Sequence, residues 1–116
     1  MQFMEEAKQT ADAWLLLNDA EQFDQGWETA ADFFQSRIEK SNWVVAITSA
    51  RAPLGKARSR FLQSARFTRS LPDAPEGEYV VIQYESQFEY AGAAIETITV
   101  MHEAGGPWKV SGYFIR

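Results

Sequence analysis

The spacing of apolar residues changes near Gly55, and this change constrains the fold more than any other feature of the chain. Before Gly55, apolar residues recur every three to four positions, as on one face of a helix. After it, apolar and polar residues mostly alternate, which is typical of strands with one buried face. Helices and strands segregated in this way indicate an α+β domain, with helices packed on one face of an antiparallel sheet.

Proline, glycine and helix-capping residues predict where these elements begin and end. Three helices are predicted, at about residues 4–18, 21–39 and 42–51, the second with a bend near Gly26. Four strands are predicted, at about residues 56–71, 78–88, 93–103 and 108–115. The turn before the last strand is Gly105-Gly106-Pro107. With 116 residues and no internal repeat or linker, the chain is expected to form one domain, residues 1–116, with a curved four-stranded meander sheet.

The composition argues against several kinds of site. The chain has no cysteine, and His102 is its only histidine, so thiol chemistry and metal sites built on two histidines are excluded. No apolar run reaches the roughly 18 residues of a membrane-spanning helix. The first residues lack the basic and apolar regions of a signal peptide. We therefore expect no cofactor, no metal and no membrane span.

Charge is unevenly distributed along the chain, whose net charge is -5. Residues 51–69 contain six basic residues and no acidic one, which at first suggests nucleic-acid binding. The predicted outer sheet face also carries Glu85 and Glu89, and Arg60 is predicted to lie opposite Glu89 there. Because binding to phosphates requires uncompensated bases, we expect no nucleic-acid partner.

The predicted strand register places one polar row on an otherwise apolar inner face. A three-residue loop at 90–92 puts Ser86 beside Glu96, and the neighbouring strands then bring Gln63 beside Ser86 and Phe114 beside Glu96. An unpaired buried carboxylate costs several kcal/mol. Glu96 therefore has a partner, carries a raised pKa, or opens onto a water-filled pocket.

These positions define a candidate pocket at the open end of the sheet. Its predicted members are Gln63, Tyr84, Ser86, Glu96 and Phe114. If Glu96 is paired instead, the expected partner is an arginine from the helices, Arg51 or Arg37. No residue is assigned a catalytic role.

Several short segments are distinctive as a set. They are Ala13-Trp14-Leu15, Asp19, Trp27, Arg51-Ala-Pro-Leu-Gly55, Ser59-Arg60, Leu71-Pro72, Gly77-Glu78-Tyr79-Val80-Val81, Glu96-Thr97 and Trp108-Lys109-Val110-Ser111-Gly112-Tyr113. Together they resemble the bacterial domain-of-unknown-function family 4019 over nearly the whole chain. The resemblance implies a cystatin-like or nuclear-transport-factor-like cone, in which a curved sheet wraps a helix and often leaves a pocket. It also implies export to the periplasm.

Three functions remain open at this point. The favoured one is a non-catalytic module that binds a small molecule or a protein in the candidate pocket. The first alternative is a small enzyme that uses Glu96 as its lone acid–base, which requires a raised pKa. The second alternative is a scaffold domain that forms a homodimer through its sheet face.

Overall fold

A computed structural model describes residues 2–102 and 106–116. Within these residues, four helices precede four strands: α1 (Gln2–Asp19), α2 (Phe23–Glu28), α3 (Asp32–Arg37), α4 (Lys40–Arg51), β1 (Ala57–Thr68), β2 (Glu78–Phe88), β3 (Gly92–His102) and β4 (Trp108–Ile115). The strands form one antiparallel sheet in the order β1-β2-β3-β4. The predicted α+β class and meander are therefore confirmed. Glu103, the predicted end of the third strand, and Gly105, in the predicted turn, lie outside the described residues.

The segment predicted as one bent second helix is two short helices, α2 and α3. The break lies at residues 29–31 and not at Gly26, which is inside α2. Ala31 has extended backbone angles, and its N–H donates to the carbonyl of Val110 on β4 at 2.8 Å. This bond to the edge of the sheet replaces a helical one, so the chain turns before it resumes as α3.

The core lies between the helices and the inner face of the sheet. Trp14 and Trp43 are buried there and pack edge-on or tilted against each other and against Phe34, with ring centroids 5.1–6.2 Å apart. Each such aromatic pair contributes about 1 kcal/mol beyond its burial. Their indole N–H groups donate to backbone carbonyls of α2, at Gly26 (2.8 Å) and Phe23 (3.1 Å). The two tryptophans thus hold the short α2 against α1 and α4.

A β-bulge in β1 changes which of its side chains face the helices. Ala65 pairs with Ile82 on one side of the bulge and Leu62 pairs with Tyr84 on the other, so Gln63 is the extra residue. Side chains alternate with a period of two, and one extra residue therefore inverts the facing of those before it.

Two predictions for β1 are wrong for this reason. Gln63 does not lie beside Ser86 but is exposed at the bulge. Arg60 does not lie opposite Glu89 on the outer face; it pairs with Ser86, and its side chain points to the helices.

A bulge in β4 has the same effect. Ser111 is the extra residue, after Val110 has paired with β3. Beyond it, Tyr113 faces the helices, whereas Phe114 is 54% exposed on the outer face. The prediction that Phe114 lies beside Glu96 is therefore wrong.

The β2–β3 hairpin is two residues out of the predicted register. Phe88 pairs with Gly92, so the loop is residues 89–91, and Tyr84 rather than Ser86 lies directly opposite Glu96. A shift of two residues preserves the alternation. Ser86 and Glu96 consequently remain on the inner face, in diagonal positions.

The turn between α4 and β1 is docked on the tip of this hairpin. The N–H of Tyr90 donates to the carbonyl of Leu54, and the N–H of Glu89 donates to the carbonyl of Lys56, both at 2.8 Å. Gly55 between them has φ +78°, a left-handed angle that favours glycine. These bonds hold the end of α4, the start of β1 and the hairpin tip together near the end of the sheet.

Gly55 and Gly92 both have left-handed backbone angles and provide a matched pair of variants. A Cβ at Gly55 would come within 2.8 Å of Glu89 and Tyr90, whereas no described atom lies within 4 Å of a Cβ at Gly92, whose φ is +73°. Gly92→Ala should lower the free energy of unfolding by about 1 kcal/mol, through backbone strain alone. Gly55→Ala should lower it by about 3 kcal/mol, because overpacking adds to the strain. Urea denaturation measures both, and equal losses would contradict the docked turn.

Candidate functional site

Asp19 ends α1, where a carboxylate is unfavourable because the carbonyl end of a helix is itself negative. Two arginines compensate for it. Arg60 donates to both carboxylate oxygens of Asp19, with Nη1–Oδ2 at 2.6 Å and Nη2–Oδ1 at 2.7 Å. Arg51, the last residue of α4, donates from Nη2 to Oδ1 at 2.8 Å. The end of α1 is thereby bonded to α4 and to β1.

Glu96 on β3 is 0% exposed and is bonded on both carboxylate oxygens. Arg60 donates from Nε to Oε1 at 2.6 Å and from Nη2 to Oε2 at 3.2 Å. Ser86 donates its hydroxyl to Oε1 at 2.5 Å, and Tyr113 donates its hydroxyl to Oε2. Glu96 is therefore a paired carboxylate, and its partner is a strand arginine. We call Asp19, Arg51, Arg60, Ser86, Glu96 and Tyr113 the charge network.

The charges of this network are stabilised in their ionised forms. Burial alone would raise the pKa of Glu96, but the hydrogen bonds and charge of Arg60, helped by Ser86 and Tyr113, outweigh it and hold the pKa below its usual range. The pKa of Asp19 is lowered for the same reason, since Arg60 and Arg51 outweigh burial. Burial opposes the charge of Arg60, yet its bonds to the two carboxylates raise its pKa.

Tyr113 of the network and Tyr84 beside it are held as neutral phenols. Burial, and then the charge of Glu96, raise the pKa of Tyr113. Burial and a hydrogen bond to Asp12 raise the pKa of Tyr84. The enzyme hypothesis requires Glu96 to have a raised pKa, and the structure gives the opposite direction.

The structure brings together only part of the predicted pocket. Tyr84, Ser86 and Glu96 share the inner face, but Gln63 and Phe114 are exposed elsewhere. Neither helix arginine is the partner of Glu96. Arg51 joins the network through Asp19, and Arg37 is exposed and donates to the carbonyl of Asp73 at 3.1 Å.

Sequence reasoning missed Asp19, Arg60 and Tyr113 as members of the site. Asp19 carries a usable signal, because an acid at the carbonyl end of a helix needs a cation nearby. Arg60 and Tyr113 lie beyond the two bulges, so a strict alternation assigns both to the wrong face. Part of the positive charge of residues 51–69 is therefore paired with carboxylates, since Arg51 and Arg60 belong to the network.

A cleft of about 280 Å³ adjoins the network between the ends of α1 and α4 and the tip of the β2–β3 hairpin. Its lining includes Asn18, Asp19, Thr48, Arg51, Glu89 and Tyr90. Asn18 is 1% exposed and Arg51 is 8% exposed. Within the described part of the chain, neither Nδ2 nor Oδ1 of Asn18 has a hydrogen-bond partner, nor has Nη1 of Arg51.

One family matches most of the chain. The sequence model described as "Protein of unknown function (DUF4019)" covers residues 10–113. The chain belongs to this family. None of the curated proteins matches it. In this DUF4019 domain, residues 10–113 include the entire charge network and the lining of the cleft.

Five of the segments that carry the family resemblance meet in space. Asp19, Arg51, Arg60, Glu96 and Tyr113 each stand in one of them, and all five are bonded within the charge network. Gly55, which ends the Arg51-Ala-Pro-Leu-Gly55 segment, forms the turn that borders the cleft. As for membranes, no helix within residues 2–102 and 106–116 combines the length and apolar character needed to cross a bilayer.

Removing the charge of Glu96 tests whether it is paired. Glu96→Gln should lower the free energy of unfolding by about 3 kcal/mol, because it leaves Arg60 buried with one carboxylate in place of two. Glu85→Gln, on the exposed outer face of the same sheet, should change it by less than about 0.5 kcal/mol. Urea denaturation at pH 7 compares the two variants. A more stable Glu96→Gln protein would show that Glu96 is an uncompensated charge.

Proposed function

We propose that this domain is a non-catalytic binding module and that its ligand occupies the cleft beside the charge network. The observation that carries the proposal is the cleft itself, in which two charged side chains of the network, Asp19 and Arg51, stand beside apolar surface. In a binding site, a few polar groups orient the ligand while apolar walls hold it. Phe23 and Tyr90 supply apolar surface in this lining.

The charge network supports binding over acid–base chemistry. A general acid or base works best when its pKa lies near the working pH. Here the pKa values of Asp19 and Glu96 are lowered, and those of Arg60, Tyr84 and Tyr113 are raised. Each group therefore keeps one charge state near neutral pH, and two members of the network, Asp19 and Arg51, line the cleft.

The architecture also supports a cone of the cystatin-like or nuclear-transport-factor-like kind. Helices cover one face of the meander, and the bulges at Gln63 and Ser111 bend its two edge strands. The cleft lies at the end of the sheet that holds the β2–β3 hairpin tip. This corresponds to the open end expected for the candidate pocket, although the lining residues differ.

Two adjacent exposed positions on α4 provide the test. Thr48 lines the cleft and Ser49 does not, so Thr48→Phe should fill it while Ser49→Phe leaves it open. The probe is a set of small soluble fragments comprising acids, amines, amides and alcohols, added to ¹⁵N-labelled protein. Amide shifts should concentrate on the cleft lining in the wild type and in Ser49→Phe, and should disappear in Thr48→Phe.

Two results would contradict the binding proposal. One is a wild-type protein whose cleft resonances respond to no fragment in the set. The other is a response that persists unchanged in Thr48→Phe, since the fragments would then bind elsewhere.

A second candidate function is self-association through the open sheet face. Phe61 and Phe114 support it, because they are 64% and 54% exposed on the face opposite the helices. Large exposed aromatic side chains are a feature of interaction surfaces. Light scattering on the same samples tests it: a dimer that dissociates in Phe61→Ser supports self-association, and a monomer at high micromolar concentration contradicts it.

A further inference from the structure

The first strand forms an open edge of the sheet. β1 pairs only with β2, so one side of this 12-residue strand faces away from the sheet. Residues 61–66 are exposed without interruption. Within the described part of the chain, no backbone hydrogen bond joins the outward side of β1 to another segment. The N–H and C=O groups of such an edge can pair with an added strand.

The opposite edge, β4, is more fully covered. The N–H of Ala31, in the link between α2 and α3, donates to the C=O of Val110 on this strand. Of the eight residues of β4, only Phe114 is exposed. The fold thus bonds part of the β4 edge to its own backbone, whereas the β1 edge is left to another chain.

Apolar side chains border the β1 edge on the side of the helices. Leu62 pairs with Tyr84 and Ala65 pairs with Ile82, which are inner-face residues of β2. Leu62 and Ala65 therefore lie on the inner face as well, yet both are exposed. The helices do not extend over this part of β1, and an added strand could cover it.

The first helix contributes a further apolar side chain on this side. Leu16 is exposed on α1 and shares a helix face with Asp12 and Asp19. Asp12 accepts a hydrogen bond from Tyr84 of β2. Asp19 accepts hydrogen bonds from Arg60 of β1. Because both acids bond to the β1–β2 side of the sheet, Leu16 is on the flank of α1 that faces the β1 edge.

The β1 edge is positively charged, although the chain as a whole has a net charge of -5. Residues 57–69 contain four arginines and no acidic residue. Arg66 is exposed and follows Ala65, so it lies on the outer face, away from the helices. No carboxylate within residues 2–102 and 106–116 forms an ion pair with it. An acidic residue beside Arg66 on an added strand would form a favourable cross-strand pair.

A second copy of this chain does not fit the charge of this edge. Antiparallel pairing of β1 with itself about Leu62 would place Arg58 of one copy opposite Arg66 of the other. Every register brings together two strands that carry arginines and no acidic residue. Like charges on neighbouring strands destabilise their pairing. The edge is therefore suited to a partner of different composition.

We propose that the β1 edge binds an extended segment of another protein as an added strand, in which apolar residues alternate with acidic ones. The apolar side chains of the segment lie on the helix side, beside Leu16, Leu62 and Ala65. Its acidic side chains lie on the outer side, near Arg66. None of residues 61–66 lines the cleft, so this site is separate from the one proposed above.

End-blocked peptides that alternate valine with glutamate are the probe, and the same peptides with lysine in place of glutamate are the charge control. In ¹⁵N-labelled protein at low ionic strength, the glutamate peptide should shift the amide resonances of residues 61–66. The lysine peptide should bind at least about fivefold more weakly, because it places like charge beside Arg66. A fully N-methylated glutamate peptide should bind at least about tenfold more weakly, because it cannot donate main-chain hydrogen bonds.

Arg66→Glu and Arg116→Glu are matched variants. Both residues are exposed, and both substitutions change the net charge equally, but Arg116 follows β4 at the opposite edge. Arg66→Glu should weaken binding of the glutamate peptide about fivefold and strengthen binding of the lysine peptide by a similar factor. Arg116→Glu should leave both affinities nearly unchanged.

Three results would overturn the proposal. The first is a glutamate peptide that leaves the resonances of residues 61–66 unshifted. The second is undiminished binding of the N-methylated peptide or of the glutamate peptide to Arg66→Glu, since the contact would then not be a charged strand pairing. The third is a dimer in light scattering without peptide, with the amides of residues 61–66 protected from hydrogen exchange, which would assign the edge to a second copy.

Discussion

A carboxylate enclosed between helices and sheet must meet a cation, and the pairing of Glu96 with Arg60 is the interaction on which the rest of this site depends. Arg60 also binds Asp19, and Asp19 binds Arg51, so two guanidinium groups connect α1, α4, β1 and β3. Breaking a buried pair of this kind costs several kcal/mol. Any register that moved Arg60 away would leave Glu96 uncompensated, and the pair therefore favours one alignment of β1 over its neighbours.

The alignment requires an irregular sheet. Arg60 reaches Glu96 because of the bulge at Gln63, and Tyr113 reaches it because of the bulge at Ser111. The two bulges lie in opposite edge strands, and each turns one polar side chain toward the same carboxylate. Bulges often re-aim a side chain beside a functional site, and here they do so twice.

The fold class was predictable from the sequence, whereas the membership of the site was predictable only in part. Periodicity separates helices from strands and singles out Glu96 as a polar exception on an apolar face. It cannot locate a bulge, because neither Gln63 nor Ser111 differs from an ordinary strand residue. A strict alternation consequently assigns Gln63 and Phe114 to the site in place of Arg60 and Tyr113. The break before α3 was missed for a similar reason, since it depends on the distant partner Val110.

The cleft depends on the same contacts. Arg51 is held by Asp19 and lies over the ring of Phe88, with its Cζ 5.3 Å from the ring centroid. Gly55, four residues later, lies in the turn that is hydrogen-bonded to the tip of the β2–β3 hairpin. This hairpin tip forms the other side of the cleft. Because the fold itself holds both walls in place, little of their conformational freedom would be lost when a ligand binds. This favours binding at a small site.

The most direct test of this account is the pKa of the Glu96 side chain, measured by NMR titration of its carboxyl carbon. We predict a pKa below the ordinary value of a glutamate side chain, because Arg60 stabilises the charged form more than burial destabilises it. The pairing would then stabilise the fold fully at any pH above the pKa of Glu96 in the unfolded chain. The stabilisation would be lost as the pH falls through the lower pKa of the folded protein. A pKa above the ordinary value would contradict the pairing and restore Glu96 as a candidate acid.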